Sequence, residues 1–191
     1  MNPIPQPGIM EIALYQSGAS HLPNVSDVLK LSANENPLGT PPSAQAAIAA
    51  AASHAHLYPS TDHAELRDAI GEVHGLDPAN VICGVGSDEV LQFITQAFAG
   101  PGDVVLHTEH GFSMYPILAR MAGATPVAVP EQDRTVDVDA ILEGVSDATR
   151  VVMVTNPGNP TGTMIPTSEL ERLAVQCQRI LVVTSTSSAL A

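Results

Sequence analysis

The stretch 103–129, DVVLHTEHGFSMYPILARMAGATPVAV, indicates the fold of this chain because it reads as strand, helix and strand in succession. Asp103–His107 is a short apolar run typical of a buried strand, and 111–122 is predicted as a helix. Thr125–Val129 is a second short apolar run. The stretch therefore predicts two strands of one sheet connected by a helix.

The same alternation continues on both sides of this stretch. Further strands are predicted at 81–83, 150–155 and 180–183. Further helices are predicted at 87–99, 138–143 and 167–178. The alternation predicts an α/β fold, a mainly parallel sheet sandwiched by helices on both faces. In such folds ligands bind at the carboxyl ends of the strands.

The beginning of the chain has a different texture. Residues 1–42 are rich in Pro, Asn, Ser and Gly, which predicts an extended N-terminal arm. An alanine-rich helix follows up to Ala52, with Ser43 as its expected cap, and Asp62 is expected to cap the next helix. The two cysteines, Cys83 and Cys177, match no metal or redox spacing.

The charge of the chain narrows the classes of partner. With 20 acidic and 7 basic residues the net charge is −13, so nucleic acid and anionic membrane surfaces are poor candidates. The free cysteines and the absence of a signal segment or membrane-length apolar run predict a cytoplasmic protein.

The segment 84–89, GVGSDE, is the first candidate for ligand binding. Glycines permit a close approach of the backbone, and the free N–H groups that open the following helix favour a phosphate. The third position of the dinucleotide fingerprint holds Glu89 instead of glycine. A plain turn with Ser87 as helix cap is an equal alternative.

The segment 156–162, NPGNPTG, follows a predicted strand and places two asparagines at its carboxyl end. Its turn residues enforce an irregular loop, which by itself could be only a loop. Phe112 also follows a strand and could stack on a flat ring, although a core aromatic is the simpler interpretation. On physical grounds alone, the NENP segment at 34–37 is an ordinary turn and Tyr58 a packing anchor. No histidine has partners at ligand spacing, so no metal site is predicted.

Taken together, these segments resemble one family. LSANENPLG at 31–39, YPSTDHAELRDAI at 58–70, GVGSDEVL at 84–91, TEHGFSMY at 108–115 and NPGNPTG at 156–162 are similar to the histidinol-phosphate type of class I/II, fold-type-I aminotransferases. The resemblance implies that 43–191 is a partial large domain of a pyridoxal phosphate (PLP) enzyme. It also implies a homodimer that transfers an amino group between histidinol phosphate and 2-oxoglutarate.

The resemblance implies roles for individual residues. Ser87 and Asp88 would lie near the cofactor phosphate, Phe112 would stack on the pyridine ring, and Asn159 would bond the ring hydroxyl. In addition, Tyr58 would reach the phosphate of the neighbouring subunit. Asn34 would face the substrate.

The chain departs from the family in its catalytic residues. Transamination requires a lysine that forms a Schiff base with the cofactor. The only lysine here is Lys30, which matches no catalytic position. After the strand at 180–183, where the family carries an aspartate for the pyridinium nitrogen, the chain reads Thr184-Ser185. We therefore expect a truncated enzyme without catalytic residues, through a frameshift or an early stop.

Two alternatives to a truncated enzyme stay open at this point. One is a non-catalytic binding or dimerisation remnant that keeps part of a phosphate-binding cup. The other is an unrelated nucleotide-binding α/β domain that uses the Gly84 loop. The missing third glycine and the presence of NPGNPTG make the second alternative the weaker of the two.

Overall fold

The computed structural model describes residues 3–13, 23, 24, 26, 28, 30, 33–36 and 38–185. The chain divides into two compact units. Ser17–Gly86 forms the first, called here the helical unit. Met1–Gln16 and Ser87–Ala191 form the second, called here the sheet unit.

The helical unit contains helices α1 (Pro42–Ala51) and α2 (Ala64–His74), with short 3-10 turns at Ala52–His54 and Pro78–Asn80. Helix α2 packs closely against the second of these turns. The Arg67 guanidinium donates to the carbonyl of Pro78 from Nε at 2.9 Å and from Nη2 at 2.6 Å. A Cβ on Gly71 would meet the Leu76 carbonyl oxygen at 2.7 Å, so only glycine permits this approach.

The sheet unit contains a four-stranded parallel sheet. Its strands are β1 (Val104–Thr108), β2 (Thr125–Val129), β3 (Thr149–Thr155) and β4 (Ile180–Thr184). The order across the sheet is β2-β1-β3-β4, and each neighbouring pair is parallel. Its helices are α3 (Ser87–Phe98), α4 (Met114–Met121), α5 (Val138–Gly144) and α6 (Thr167–Cys177), and a 3-10 turn at Ile9–Glu11 belongs to the same unit.

Both faces of the sheet are covered by helices. Successive side chains of a strand point to opposite faces. Accordingly, Val151 and Met153 of β3 lie in a core cluster with residues of α3 and α4. Val152 and Val154 lie in a second cluster with residues of α5 and α6. The predicted α/β sandwich with a parallel sheet is confirmed.

Two local predictions were wrong. The run Val81–Cys83 is not a strand, because it has no ladder partner among the described residues, and Ile82 is 73% exposed. β-branched composition favours a strand only where a sheet is available to pair with. Helix α1 begins at Pro42 and has no side-chain cap, so Ser43 lies inside its first turn. The N-cap residue of α2 is His63, which provides no side-chain cap, and the Asp62 carboxylate one position earlier accepts from the Ala64 amide at 3.2 Å.

Within the described residues, no helix is both long and apolar enough to cross a membrane.

Candidate cofactor site

Two of the predicted binding segments follow strands at the same edge of the parallel sheet. Strands β1 and β3 are parallel neighbours, so the segments that follow Thr108 and Thr155 emerge side by side. Phe112 lies in the first segment and Asn159 in the second. This is the carboxyl edge, where parallel sheets bind ligands.

The start of helix α3 points to this same edge. A tight turn connects the end of α3 to the start of β1, with the Gly100 amide donating to the Asp103 carboxylate at 3.1 Å. The helix therefore runs back along the sheet, and Leu91 packs in the same cluster as Tyr115 and Met153. Its first residue, Ser87, lies at the end remote from that turn, towards the carboxyl edge.

The first turn of α3 offers a site for an anion. Ser87 and Asp88 are both exposed there. Backbone N–H groups at the start of a helix and the positive end of its dipole attract negative charge. Gly86 has φ 127°, a backbone conformation that favours glycine immediately before the helix. The Ser87 hydroxyl suits a phosphate, whereas the Asp88 carboxylate suits a cation or a hydrogen-bond donor.

Phe112 presents an aromatic ring directly after β1. Its side chain is half-buried and packs on the cluster beneath α3 and α4. The ring meets Tyr115 edge to face, with centroids 5.8 Å apart and planes at 88°. The turn before it is tight, because a Cβ on Gly111 would meet the Thr108 hydroxyl at 2.9 Å. Phe112 thus packs against the edge of the core and leaves part of its ring available to a ligand.

The two asparagines of the NPGNPTG loop have different roles. The side-chain amide of Asn156 forms two hydrogen bonds with the Ile165 backbone. Its Nδ2 donates to the carbonyl at 3.1 Å, and its Oδ1 accepts from the N–H at 3.0 Å. Asn159 is half-buried, and its amide forms no hydrogen bond with the described part of the chain. Asn156 therefore closes the loop, and Asn159 is the asparagine whose amide is available to a ligand.

Sequence reasoning missed a group of three hydroxyls at this edge, two of which belong to buried residues. The Tyr115 hydroxyl lies 2.6 Å from Oγ1 of Thr155 and 2.6 Å from Oγ1 of Thr184. Thr155 and Thr184 are the last residues of β3 and β4. The available signal was a tyrosine one helical turn after Phe112, together with a threonine at the end of two neighbouring strands.

Carboxylates and a histidine lie after β1 and β2. Nδ1 of His110 is 3.1 Å from the Glu131 carboxylate and 3.5 Å from that of Glu109. The Glu131 side chain is only 3% exposed, and its backbone N–H donates to Glu109 at 3.3 Å. These contacts tie the segment after β2 to the segment that carries Phe112. No group of three or more possible metal ligands occurs among the described residues.

The remaining predicted residues belong to the helical unit. Tyr58 is fully exposed, so its interpretation as a packing anchor within the chain was wrong. Asn34 is exposed as well. Nζ of Lys30 lies 2.8 Å from the Glu35 carboxylate in an ion pair.

Comparison with known proteins agrees with this geometry. Residues 26–184 match the family described as aminotransferase class I and II. Histidinol-phosphate aminotransferase of Ruegeria pomeroyi is 71% identical over 170 residues, which cover 89% of this chain and 47% of that protein. The Paracoccus denitrificans histidinol-phosphate aminotransferase is 59% identical over 180 residues, covering 94% and 49%.

Solved structures show the same fold. The crystal structure of histidinol-phosphate aminotransferase from Sinorhizobium meliloti, in complex with pyridoxal-5'-phosphate, superposes with a TM-score of 0.76 at 28% identity, covering 79% of this chain and 42% of that one. Aspartate aminotransferase from Thermus thermophilus with maleate gives a TM-score of 0.73 at 28% identity, covering 81% and 44%.

This chain belongs to the class I and II aminotransferase family, whose cofactor is PLP. It spans about half the length of the curated relatives it matches, 47% for the Ruegeria pomeroyi protein. Membership in this family excludes the alternative of an unrelated nucleotide-binding domain.

The residues present fit non-covalent binding of PLP. The start of α3 suits its phosphate, Phe112 suits its ring, and the amide of Asn159 suits its ring hydroxyl. Covalent attachment needs an amine, and the only lysine among these 191 residues is Lys30, which is paired with Glu35. The fit therefore extends to binding and orienting the group and not to its covalent attachment.

Proposed function

We propose that this chain is the cofactor-binding portion of a histidinol-phosphate aminotransferase. The N-terminus of α3, with Ser87 and Asp88, lies near the PLP phosphate, and the ring stacks on Phe112. The amide of Asn159 donates to the ring hydroxyl. When bound in a complete enzyme, PLP acts as the electron sink of the transfer reaction.

One observation carries this proposal. Three segments far apart in sequence converge on one edge of the sheet unit: the start of α3, the turn after β1 and the loop after β3. Each supplies a different kind of contact: backbone N–H groups that can bind an anion, the aromatic ring of Phe112, and the Asn159 amide, which forms no hydrogen bond with the described residues. A planar aromatic phosphate such as PLP needs these three contacts together.

The reaction and assembly are proposed from the similarity to named relatives. The parent reaction transfers the amino group of histidinol phosphate to 2-oxoglutarate, a step of histidine biosynthesis, in the cytoplasm. Asn34 faces the substrate in this proposal. The parent enzyme is a homodimer, and Tyr58 reaches the phosphate bound by the neighbouring subunit; its complete exposure within one chain suits that role.

For this chain alone we propose binding without turnover. Lys30 precedes the NENP segment, and its amine forms an ion pair with the Glu35 carboxylate. This property favours the second candidate function, a non-catalytic binding or dimerisation remnant, for the 191 residues taken by themselves. The two candidates share the PLP site and differ in whether amino transfer occurs.

PLP binding is tested by calorimetric titration of the full chain. Ser87→Ala removes a hydroxyl at the start of α3, and we expect roughly ten- to hundredfold weaker PLP binding from the loss of one hydrogen bond to a charged group. Ser168→Ala is the matched control, because Ser168 is an exposed serine in the first turn of α6. Equal affinity for wild type and both variants would contradict the proposed phosphate site.

Turnover is tested by incubating the chain with PLP, histidinol phosphate and 2-oxoglutarate and measuring glutamate. Borohydride is then added and the tryptic peptides are searched for pyridoxyl-lysine. We expect no glutamate and no modified peptide. Glutamate formation together with pyridoxylated Lys30 would show that this chain is catalytic by itself.

A further inference from the structure

Tyr115 connects the ends of two strands through its hydroxyl group. The hydroxyl lies 2.6 Å from Thr155 Oγ1 and 2.6 Å from Thr184 Oγ1. Thr184 Oγ1 in turn donates to Thr155 Oγ1 at 3.1 Å. Tyr115 is fully buried, Thr155 is 2% exposed, and Thr184 is half-buried.

The three hydroxyls can form a closed cycle of hydrogen bonds in which each is both donor and acceptor. Each hydroxyl can donate one hydrogen bond and accept another. With Thr184 donating to Thr155, the ring closes when Thr155 donates to Tyr115 and Tyr115 donates to Thr184. Hydrogen bonds that form such a closed network polarise and strengthen one another in a low-dielectric interior. This hydrogen-bonded network thus holds the Tyr115 side chain at its hydroxyl end.

The Tyr115 side chain in turn contacts Phe112. The two residues are three positions apart, and their rings meet edge to face with centroids 5.8 Å apart. An edge-to-face pair has a preferred mutual orientation of the two ring planes. Because the hydroxyl end of Tyr115 is bonded to two strands, its ring offers Phe112 a fixed surface.

We propose that Tyr115 is a positioning residue for the PLP ring. Thr155 and Thr184 hold the Tyr115 hydroxyl, and this fixes the position of the tyrosine ring. The tyrosine ring in turn fixes the plane of the Phe112 ring. This inference rests on the proposed function, in which Phe112 stacks on the PLP ring. Tyr115 itself does not touch the cofactor.

A double-mutant cycle on PLP affinity tests this role in the full chain. We expect Tyr115→Phe to weaken PLP binding about three- to tenfold, a coupling typical of residues in contact. In the background of Phe112→Leu the same substitution should leave affinity unchanged, because the ring to be positioned is gone. An equal loss in both backgrounds, or no loss in either, overturns the inference.

The outcome for Phe112→Leu alone separates this inference from the proposed function. If Phe112→Leu weakens PLP binding and Tyr115→Phe does not, only the positioning role fails. If Phe112→Leu leaves PLP affinity unchanged, or wild type binds no PLP, the proposed function fails and the inference fails with it.

A second measurement follows the Phe112 ring without PLP. The chain contains three phenylalanines, Phe93, Phe98 and Phe112, so fluorophenylalanine labelling gives three fluorine signals. Thr184→Val removes one partner of the Tyr115 hydroxyl and should shift or broaden the Phe112 signal alone. Thr125→Val, at an exposed position at the start of β2, is the matched control and should leave all three signals in place. A Phe112 signal unmoved by Thr184→Val also overturns the inference.

Discussion

The side-chain amide of Asn156 and the backbone of Ile165 form two hydrogen bonds, 3.1 and 3.0 Å long, that close the loop after β3. The backbone amide of Asn156 also donates to the Thr184 carbonyl at 2.9 Å, which links the start of the loop to the end of β4. Asn156 therefore holds the loop that presents Asn159.

We predict that Asn156→Ala and Asn159→Ala separate stability from binding. Asn156→Ala leaves the Ile165 N–H and carbonyl without partners and should lower the free energy of unfolding by about 1–3 kcal/mol. Asn159→Ala removes an amide not bonded to described residues, so it should change stability little and weaken PLP binding. Urea denaturation and PLP titration of both variants check this division. A larger stability loss in Asn159→Ala than in Asn156→Ala would show that the two roles are exchanged.

Core packing beneath α6 gives a second prediction. Leu173 is fully buried in the cluster formed with α5 and the sheet, whereas Val175 on the same helix is 77% exposed. Leu173→Ala should cost about 2–5 kcal/mol because it removes buried carbon atoms and leaves a cavity. Val175→Ala serves as the control and should stay within about 0.5 kcal/mol of wild type. The urea midpoints of the two variants check this, and similar losses in both would contradict the described packing.

The contact of α5 with the sheet depends on the absence of a side chain at Gly144. A Cβ there would meet Val129 Cγ1 at 2.7 Å and Leu106 Cδ1 at 3.0 Å. Gly144→Ala should therefore destabilise the chain by about 1–3 kcal/mol through overpacking. At Gly100 a Cβ meets nothing within 4 Å, so Gly100→Ala is the control. Thermal unfolding of the two variants tests the prediction, which fails if Gly144→Ala is at least as stable as wild type.

Because His107 is buried, we expect the folded chain to lose stability in mild acid. Burial lowers the pKa of His107 below its usual value of 6.5; the Thr108 carbonyl partly opposes this shift, and the nearby charge of Arg120 adds a still smaller lowering. Between this lowered pKa and 6.5, the unfolded chain therefore binds a proton that folded His107 does not. The stabilisation is complete above that pH and declines as pH falls through it towards the folded pKa.

Substitution of His107 tests this dependence. We expect His107→Gln to reduce the difference in urea midpoint between about pH 8 and about pH 5, relative to wild type. His56→Gln, at an exposed histidine, should retain the wild-type difference. If His107→Gln leaves the difference unchanged, another group is responsible for the pH dependence.

Much of the fold could be predicted from local patterns. Strands 125–129 and 150–155 and helices 87–99 and 167–178 differ from the observed elements by at most one residue at either end. These elements combine β-branched runs or helical periodicity with clear turn residues, so local preference and tertiary packing agree. Val81–Cys83 has the same β-branched character but pairs with no strand in the described part of the chain, and there the prediction failed.

For the candidate site as well, some features follow from the sequence and others only from the tertiary structure. Residue types alone determined the segments: glycines before a helix, an aromatic ring after a strand, and asparagines in a proline-rich loop. Only the tertiary structure decided that Asn156 closes the loop while Asn159 keeps an available amide, because the partner of Asn156 is the Ile165 backbone. It likewise decided that Tyr115, Thr155 and Thr184 meet, since parallel pairing of β3 with β4 brings together threonines that are 29 positions apart. A pattern in sequence specifies what one segment prefers, whereas hydrogen bonds between segments depend on where the sheet places their ends.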